Sequence, residues 1–410
     1  DFILKNVRKI NQTLRNQDSE HHQELHREIQ QLETAFAEAE KAIRKWRSNS
    51  KGGWQSAQKL QQTSEQLADA LNEKSVLVDQ YQLHLANAIW CQSELQVDET
   101  YLQRVNQYFP PAVVNTADLT RHPTRVRKEI NKWISDQTKN HISNLIPPGA
   151  IDQLTRMILI NTVYFQGQWM EPFAEDDTKP RRFTFASRQK ANLPMMSGLK
   201  YHGKYAAFQG NGKLFDTPQM IEEGNESAGY PNQEGFLMIE LPYKGEEISM
   251  VFVAPQKPDG LSQVEETICS RPWNNWIKHL TARKLVADIP KFQSTSTQVL
   301  NDVLARLGMG RAFVSPTEAH GADFRGIYPI DDPQQQLFLN LVLHAAGIEL
   351  DEQGTKAYAA TVLMAIKKAM AMRRVPFIPE FKADRPFLFF LHHIKTGILL
   401  FAGRITNPNE

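Results

Sequence analysis

The amino-acid sequence predicts an α+β fold with mainly antiparallel sheets. Dense apolar, β-branched and aromatic runs, which are typical of strands, occupy residues 81–90, 156–165 and 236–254. Helical spacing of apolar side chains occurs over residues 125–145, between the first two runs, and over residues 296–307, after the third. Because strands and helices do not alternate regularly, parallel β-α-β units are not indicated and an α+β arrangement is favoured.

The first 80 residues have a more helical texture. Seven apolar residues recur at spacings of four and three and so share one helical stripe: Leu25, Ile29, Leu32, Phe36, Ala39, Ile43 and Trp46. A run of Ser, Asn, Lys and Gly at residues 48–53 ends this helix, and a second apolar-periodic segment follows. A helical hairpin is predicted, packed on the core or, alternatively, serving as a coiled-coil module.

Composition and charge exclude several classes of function. Lys plus Arg number 47 and Asp plus Glu 46, so bulk charge gives no reason to expect nucleic acid or a membrane as partner. No run of about 18 apolar residues predicts a membrane span, and no signal-peptide pattern opens the printed sequence. Cys91 and Cys269 fit neither a metal motif nor a disulfide framework and are expected to be buried thiols.

No enzyme motif stands out. The sequence contains no GxSxG elbow, HExxH helix, phosphate loop or CxxC pair. His22 and His26 lie one helical turn apart on a polar helix, and His392 and His393 would point to opposite faces of a strand. We therefore expect no catalytic residue, no metal site and no cofactor, and Gly308 is expected to lie in a turn.

The block at residues 161–173, NTVYFQGQWMEPF, resembles the strand-and-turn block of the serpin family. Further blocks follow in the order that family requires: Leu85 to Trp90, Pro194 to Met196, Glu240 to Tyr243, Ile289 to Phe292, Leu307 to Met309, Ala322 to Phe324 and Arg385 to Pro408. The resemblance covers about residues 80–408. Residues 1–80 depart from it, because they lack the Phe-Ser-Pro-x-Ser-like stretch of the family.

The resemblance implies a particular architecture. It predicts a serpin-like fold with a large central mixed or antiparallel sheet, two smaller sheets, several helices and an exposed reactive-centre loop. Residues 81–410 would form the serpin domain, after an atypical helical segment at 1–80. The turn-rich residues 209–235 are expected to be an exposed loop insertion, and residues 352–381 the reactive-centre loop.

The segment that starts at Glu352 resembles the hinge of an inhibitory serpin. In that family, protease cleavage releases the loop, which inserts as a new strand of the main sheet and distorts the attached protease. The resemblance assigns seven hinge residues: Glu352, Gly354, Thr355, Ala357, Ala359, Ala360 and Thr361.

Alternation along the hinge fits a strand with one buried face. The odd-numbered positions from Thr355 to Ala365 are small or apolar, whereas Lys356 and Tyr358 fall on the other face. Helix propensity alone would instead favour a helix over residues 355–372. Both interpretations stay open at the level of sequence.

Two positions compete as the reactive bond. Counting from Glu352 by the spacing usual in inhibitory serpins places it between Lys368 and Ala369, whereas counting back from Pro386 places it between Met372 and Arg373. Most candidate residues are basic, which favours a trypsin-like target with an acidic specificity pocket. A bond after Met372 would instead suit a chymotrypsin-like protease.

Four residues outside the loop carry over by motif. Asn161 and His344 resemble the polar pair of the family's central shutter, and Trp169 resembles the aromatic residue where loop insertion starts. Lys291 is expected to pair with Glu352. Asn161, His344 and Trp169 could instead be ordinary core residues.

The sequence thus predicts an extracellular inhibitor of trypsin-like serine proteases, monomeric and able to form loop-sheet polymers when destabilised. A non-inhibitory serpin that acts as a carrier or chaperone is the alternative. The only partner expected is the target protease, with neither nucleic acid nor membrane. Sequons at Asn11 and Asn225 would accept glycans in a secreted eukaryotic protein.

Overall fold

The structure is a computed structural model that describes these residues: 31, 35, 81–93, 97–108, 112–138, 140–333, 335–352 and 374–409. Several predictions lie outside them, namely the helical hairpin of residues 1–80, the pair His22 and His26, the hinge residues after Glu352, and both candidate reactive bonds, Lys368–Ala369 and Met372–Arg373.

Regular elements account for much of the described chain. The helices are α1 (Glu99–Tyr108), α2 (Pro123–Gln137), α3 (Leu261–Cys269), α4 (Asn274–Ile277) and α5 (Asn301–Leu304). The strands are β1 (Tyr81–Gln92), β2 (Val113–Ala117), β3 (Met157–Gly167), β4 (Lys179–Thr184), β5 (Lys190–Lys200), β6 (Lys204–Phe208), β7 (Leu214–Phe215), β8 (Met220–Glu222), β9 (Phe236–Pro242), β10 (Ile248–Pro255), β11 (Thr281–Ala282), β12 (Leu285–Pro290), β13 (Phe292–Val299), β14 (Leu341–Leu350), β15 (Arg374–Pro376), β16 (Glu380–Lys382), β17 (Phe387–His393) and β18 (Ile398–Ile405).

Two compact units make up the described chain. The first unit contains Gln82–Gln166 and Ser294–Glu349 and holds a five-stranded sheet in the order β13-β14-β3-β1-β2. Two of its pairings are parallel, β1 with β2 and β3 with β14. Helix α2 buries Val126, Ile130 and Ile134 in one core with apolar residues of β3 and β14.

The second unit contains Gly167–Gln293 and Leu350–Glu410. Its main sheet runs β11-β6-β9-β10-β17-β18, with β7 added beside β6, and a second sheet runs β16-β12-β5-β4. Strands β8 and β15 form a separate two-stranded sheet. Strand β10 is buried along its whole length because it lies at the centre of the main sheet, which explains its unbroken apolar run. The predicted α+β class is confirmed.

The helix predicted over residues 125–145 ends at Gln137. Thr138 stops it, since its hydroxyl donates to Ile134 O and accepts from the Ile142 N–H, and Asn140 then adopts a left-handed φ of 66°. Ile142 and Leu145 still belong to the core of the first unit. The apolar spacing therefore continues past the helix into irregular chain, which explains the error in its end.

The helix predicted over residues 296–307 was wrong at its start. Residues 292–299 form strand β13, and helix α5 begins only at Asn301. Most of β13 is solvent-exposed, so its Ser and Thr residues give no alternation of apolar and polar side chains. The expected turn at Gly308 is present, with φ 101°.

The boundaries of two predicted loops also differ from the structure. The 209–235 segment is mostly exposed but contains β7 and β8 and buries Ile221 and Gly229. The 352–381 loop ends earlier than expected, because β15 and the start of β16 fall within it.

Both histidines of the pair in β17 have their own neighbours. His392 Nε2 lies 3.3 Å from Glu240 Oε1, and His393 Nδ1 lies 2.9 Å from Thr396 Oγ1. Across the described residues, no group of three or more His, Cys, Asp or Glu side chains could hold a metal ion.

Every helix in that same part of the chain is too short or too polar to cross a membrane. Of the two thiols, Cys91 is buried as expected, whereas Cys269 is exposed at the end of α3.

Candidate functional site

Glu352, the first residue of the predicted hinge, forms an ion pair within the second unit. Lys291 Nζ lies 2.6 Å from Glu352 Oε2, and the Glu352 side chain is only 7% exposed. Burial raises the pKa of Glu352, but the hydrogen bonds that the carboxylate accepts outweigh it and leave that pKa below 4.5. The same contact raises the pKa of Lys291. Both groups are therefore charged at neutral pH.

Trp169 holds the preceding residue. Its indole N–H donates to the main-chain carbonyl of Asp351 at 3.0 Å. The ring is buried and stacks on Tyr243, with centroids 4.4 Å apart and planes 11° from parallel. Trp169 and Lys291 thus hold two successive residues, Asp351 and Glu352, and we call these four residues the loop base.

A row of polar side chains crosses the sheet of the first unit. Asn161 on β3 and His344 on β14 are register partners, and His344 Nδ1 lies 2.6 Å from Asn161 Oδ1. Asn161 Nδ2 donates to Asn87 Oδ1 on β1 at 2.6 Å. Because the Asn161 amide group donates to Asn87, its carbonyl faces His344, and the imidazole carries its proton on Nδ1. We call Asn87, Asn161 and His344 the polar row.

Strands β3 and β14 pair directly with each other. Their parallel register runs over eight residue pairs, from Leu341 opposite Ile158 to Ile348 opposite Phe165. Tyr164 adds a side-chain link, since its hydroxyl donates to Glu349 Oε2 at 3.1 Å. A Cβ at Gly347 would come within 2.8 Å of the Tyr164 ring, so glycine is required for this close approach. No described strand lies between β3 and β14.

Sequence reasoning missed partners of both groups. Asn87 completes the polar row, and Tyr243 supports the Trp169 ring. Both lie inside blocks of the serpin resemblance, but only their three-dimensional neighbours indicate a role. The structure places Trp169, Lys291 and Glu352 together in the second unit and Asn161 with His344 in the first.

The polar row predicts a pH dependence of stability. Burial lowers the pKa of His344 below its ordinary value of 6.5, so the unfolded chain takes up a proton at higher pH than the folded chain does. Stability contributed by this residue is therefore lost as the pH falls below about 6.5. We expect His344→Gln, which keeps a polar side chain but cannot titrate, to show a smaller fall in Tm between pH 7.5 and 5.5. An equal fall in parent and variant would contradict this assignment.

Comparison with known proteins now decides the family. The family model described as Serpin (serine protease inhibitor) matches residues 30–408, nearly the whole chain. The chain belongs to the serpin family. This confirms the resemblance, and the match begins at residue 30, well before the first block of that resemblance at Leu85. It therefore includes part of the segment that lacks the Phe-Ser-Pro-x-Ser-like stretch.

Relatives agree with this membership. Neuroserpin of Mus musculus is 29% identical to this serpin over 344 residues, which are 83% of this chain and 75% of the relative. Serpin B6 of Macaca fascicularis is 30% identical over 340 residues, covering 82% and 80% of the two chains. The crystal structure of native protease nexin-1 with heparin matches with a TM-score of 0.63 at 26% identity, covering 85% and 87%. The predicted serpin fold is confirmed, and this serpin belongs to a family described as serine protease inhibitors.

Proposed function

We propose that this serpin inhibits trypsin-like serine proteases as a suicide substrate, rather than acting as an enzyme. The protease attacks the reactive bond and forms an acyl-enzyme, and the freed loop inserts between β3 and β14 before the ester is hydrolysed. The polar row and the loop base would both control this insertion. Asn161 and His344 link the two strands that must separate, and Trp169 and Lys291 hold the residues where the loop begins.

One observation carries the proposal. Strands β3 and β14 are paired directly, while the sequence that follows β14 alternates small and apolar side chains suited to a buried strand. A segment that turns back after β14 would lie antiparallel to both strands. Insertion would thus exchange one parallel ladder for two antiparallel ladders, which are slightly stronger per residue.

The energy available is of the right size. A segment of about 14 residues that adds one ladder gains roughly 1 kcal/mol per net hydrogen bond, or on the order of 10 kcal/mol. A typical protease domain is stable by about 5–15 kcal/mol. Insertion can therefore supply enough free energy to distort a covalently attached protease.

The charge of the loop indicates the class of target. Lys367, Lys368, Arg373 and Arg374 offer basic side chains at or near both candidate bonds. A protease with an acidic specificity pocket pairs with such a side chain, as trypsin does. The bond between Lys368 and Ala369 is the one we propose.

Incubation with trypsin tests the proposal. We expect a covalent complex that survives detergent and heat on a gel, and its loss in Lys368→Ala but not in Met372→Ala. A covalent complex with chymotrypsin instead of trypsin, lost in Met372→Ala, would assign the reactive bond to Met372–Arg373. A clipped chain without any complex, also with chymotrypsin, would favour the carrier or chaperone alternative.

We also propose an extracellular site of action for a monomeric inhibitor. Asn225 of the second sequon is exposed, so a glycan could be attached without disturbing the fold. Expression through a secretory pathway should then give a mass that falls after glycosidase treatment, and falls less in Asn225→Gln. An unchanged mass would remove this support.

A further inference from the structure

The carboxyl side of the reactive loop is held by the 209–235 segment. Strand β15 pairs antiparallel with β8, with Val375 opposite Ile221. The ladder continues one residue further, since the Phe377 N–H donates to Gln219 O at 2.9 Å. Residues 374–377 are therefore already in a sheet, unlike a chain that is free to enter a protease.

Side chains reinforce this pairing. The Arg283 guanidinium donates to Pro218 O and to Phe377 O, and so joins the two segments directly. It also lies 5.5 Å from the centre of the Phe377 ring, within cation–π range. One arginine thereby holds both sides of the small sheet.

Residues of the 209–235 segment also pack against the Phe377 ring. Phe377 is buried and meets Tyr230 edge-on, with ring centroids 5.2 Å apart. A Cβ on Gly229 would overlap the Phe377 ring, so only glycine permits this packing. The Tyr230 hydroxyl accepts a hydrogen bond from the Glu380 N–H at 2.8 Å. Ile221, Gly229, Tyr230 and Arg283 together form what we call the clamp.

We propose that the clamp is a positioning device that fixes the carboxyl flank of the reactive loop, and that it confines cleavage to bonds whose following residues, as far as the protease binds them, lie before residue 374. A protease binds its substrate as an extended strand on both sides of the bond it cuts. Cleavage at Met372–Arg373 would place Arg374, the second residue after the bond, in the protease while it is paired with β8. Cleavage at Lys368–Ala369 would leave a stretch of five residues in the sequence, 369–373, between the bond and β15.

The clamp thus selects between the two candidate reactive bonds. Its biological meaning rests on the proposed inhibitory function. The clamp also explains why a protease would not cleave after a basic residue that lies inside the flank. Arg374 suits trypsin as well as Lys368 does, but its bond to Val375 lies within β15. Pairing with β8 protects that bond because the strand would first have to detach.

Limited trypsin digestion followed by mass spectrometry tests the clamp. In the parent we expect cuts mainly after Lys368 and few after Arg374. In Arg283→Met, which keeps an apolar stem but loses the donors, cleavage after Arg374 relative to Lys368 should rise at least about tenfold. Gly229→Ala should have the same effect through displacement of the Phe377 ring.

The matched control is Arg271→Met. Arg271 also donates to a carbonyl of the 209–235 segment, Gly212 O at 3.0 Å, and lies 5.1 Å from the Trp276 ring, but it does not touch the loop flank. We expect its cleavage ratio to equal that of the parent. Equal cleavage after Arg374 in the parent and both clamp variants, or a rise in Arg271→Met as large as in Arg283→Met, would overturn the proposal.

The test is independent of inhibition. The cleavage ratio is measured on one chain and requires no covalent complex. A protected Arg374 bond that becomes exposed in the clamp variants, with no protease complex at all, would leave the clamp standing and refute the inhibitory function. A stable protease complex together with an unprotected Arg374 bond would support the inhibitory function and refute the clamp.

Discussion

A single cut after Lys368 should raise the Tm of this serpin by about 10 °C. The paired strands β3 and β14 would open to admit the freed loop, and the added ladder contributes on the order of 10 kcal/mol. Each kcal/mol shifts Tm by roughly 2–4 °C in domains of 150–250 residues and by less in larger ones. Differential scanning calorimetry before and after a catalytic amount of trypsin measures the change.

A pair of loop variants separates insertion from cleavage. Thr355 lies on the alternate set of positions that would face the core, and Lys356 on the other. Thr355→Arg would bring a charge into the sheet, so the cut chain should keep the Tm of the uncut one. Lys356→Arg should gain the full increase. A cut parent with an unchanged Tm would refute the inhibitory mechanism.

Local sequence patterns predicted the strands of the core well. Strand β3 follows from the apolar run at residues 156–165, and the motifs around it placed Asn161 and Trp169. Such runs are informative because a strand buried on both faces admits few polar residues. Strand β13 is mostly exposed, and its Ser and Thr residues carry no comparable pattern.

Pairings between distant residues could not be predicted in this way. Asn87 lies 74 residues before Asn161, and β8 is a three-residue strand whose partner comes more than 150 residues later. Nothing in a short run such as Met220–Glu222 distinguishes a strand from a turn. The clamp therefore became visible only when the fold brought β8 and β15 together.

The loop base should decide whether the uncut molecule stays monomeric. Lys291 Nζ and Glu352 Oε2 now lie 2.6 Å apart, and the Glu352 side chain is nearly buried. Glu352→Lys would place a second ammonium group beside that of Lys291. Because the Lys291 side chain is 41% exposed, solvent screens part of this repulsion, and we expect a cost of about 1–3 kcal/mol, less than for a fully buried pair. We expect the start of the loop to detach, the sheet to open, and the variant to polymerise within hours at a temperature that leaves the parent monomeric, as gel filtration would reveal.

Charge reversal provides the strongest control for that experiment. The double variant Glu352→Lys with Lys291→Glu restores an ion pair of opposite direction and should recover most of the monomer. Glu266→Lys makes the same charge change at an exposed position of α3 and should not polymerise. Equal monomer content in Glu352→Lys and the parent would show that this pair does not control the loop.

Below about pH 4.5 the parent should itself begin to polymerise, because the pKa of Glu352 is depressed and its ion pair is lost only as acid protonates the carboxylate.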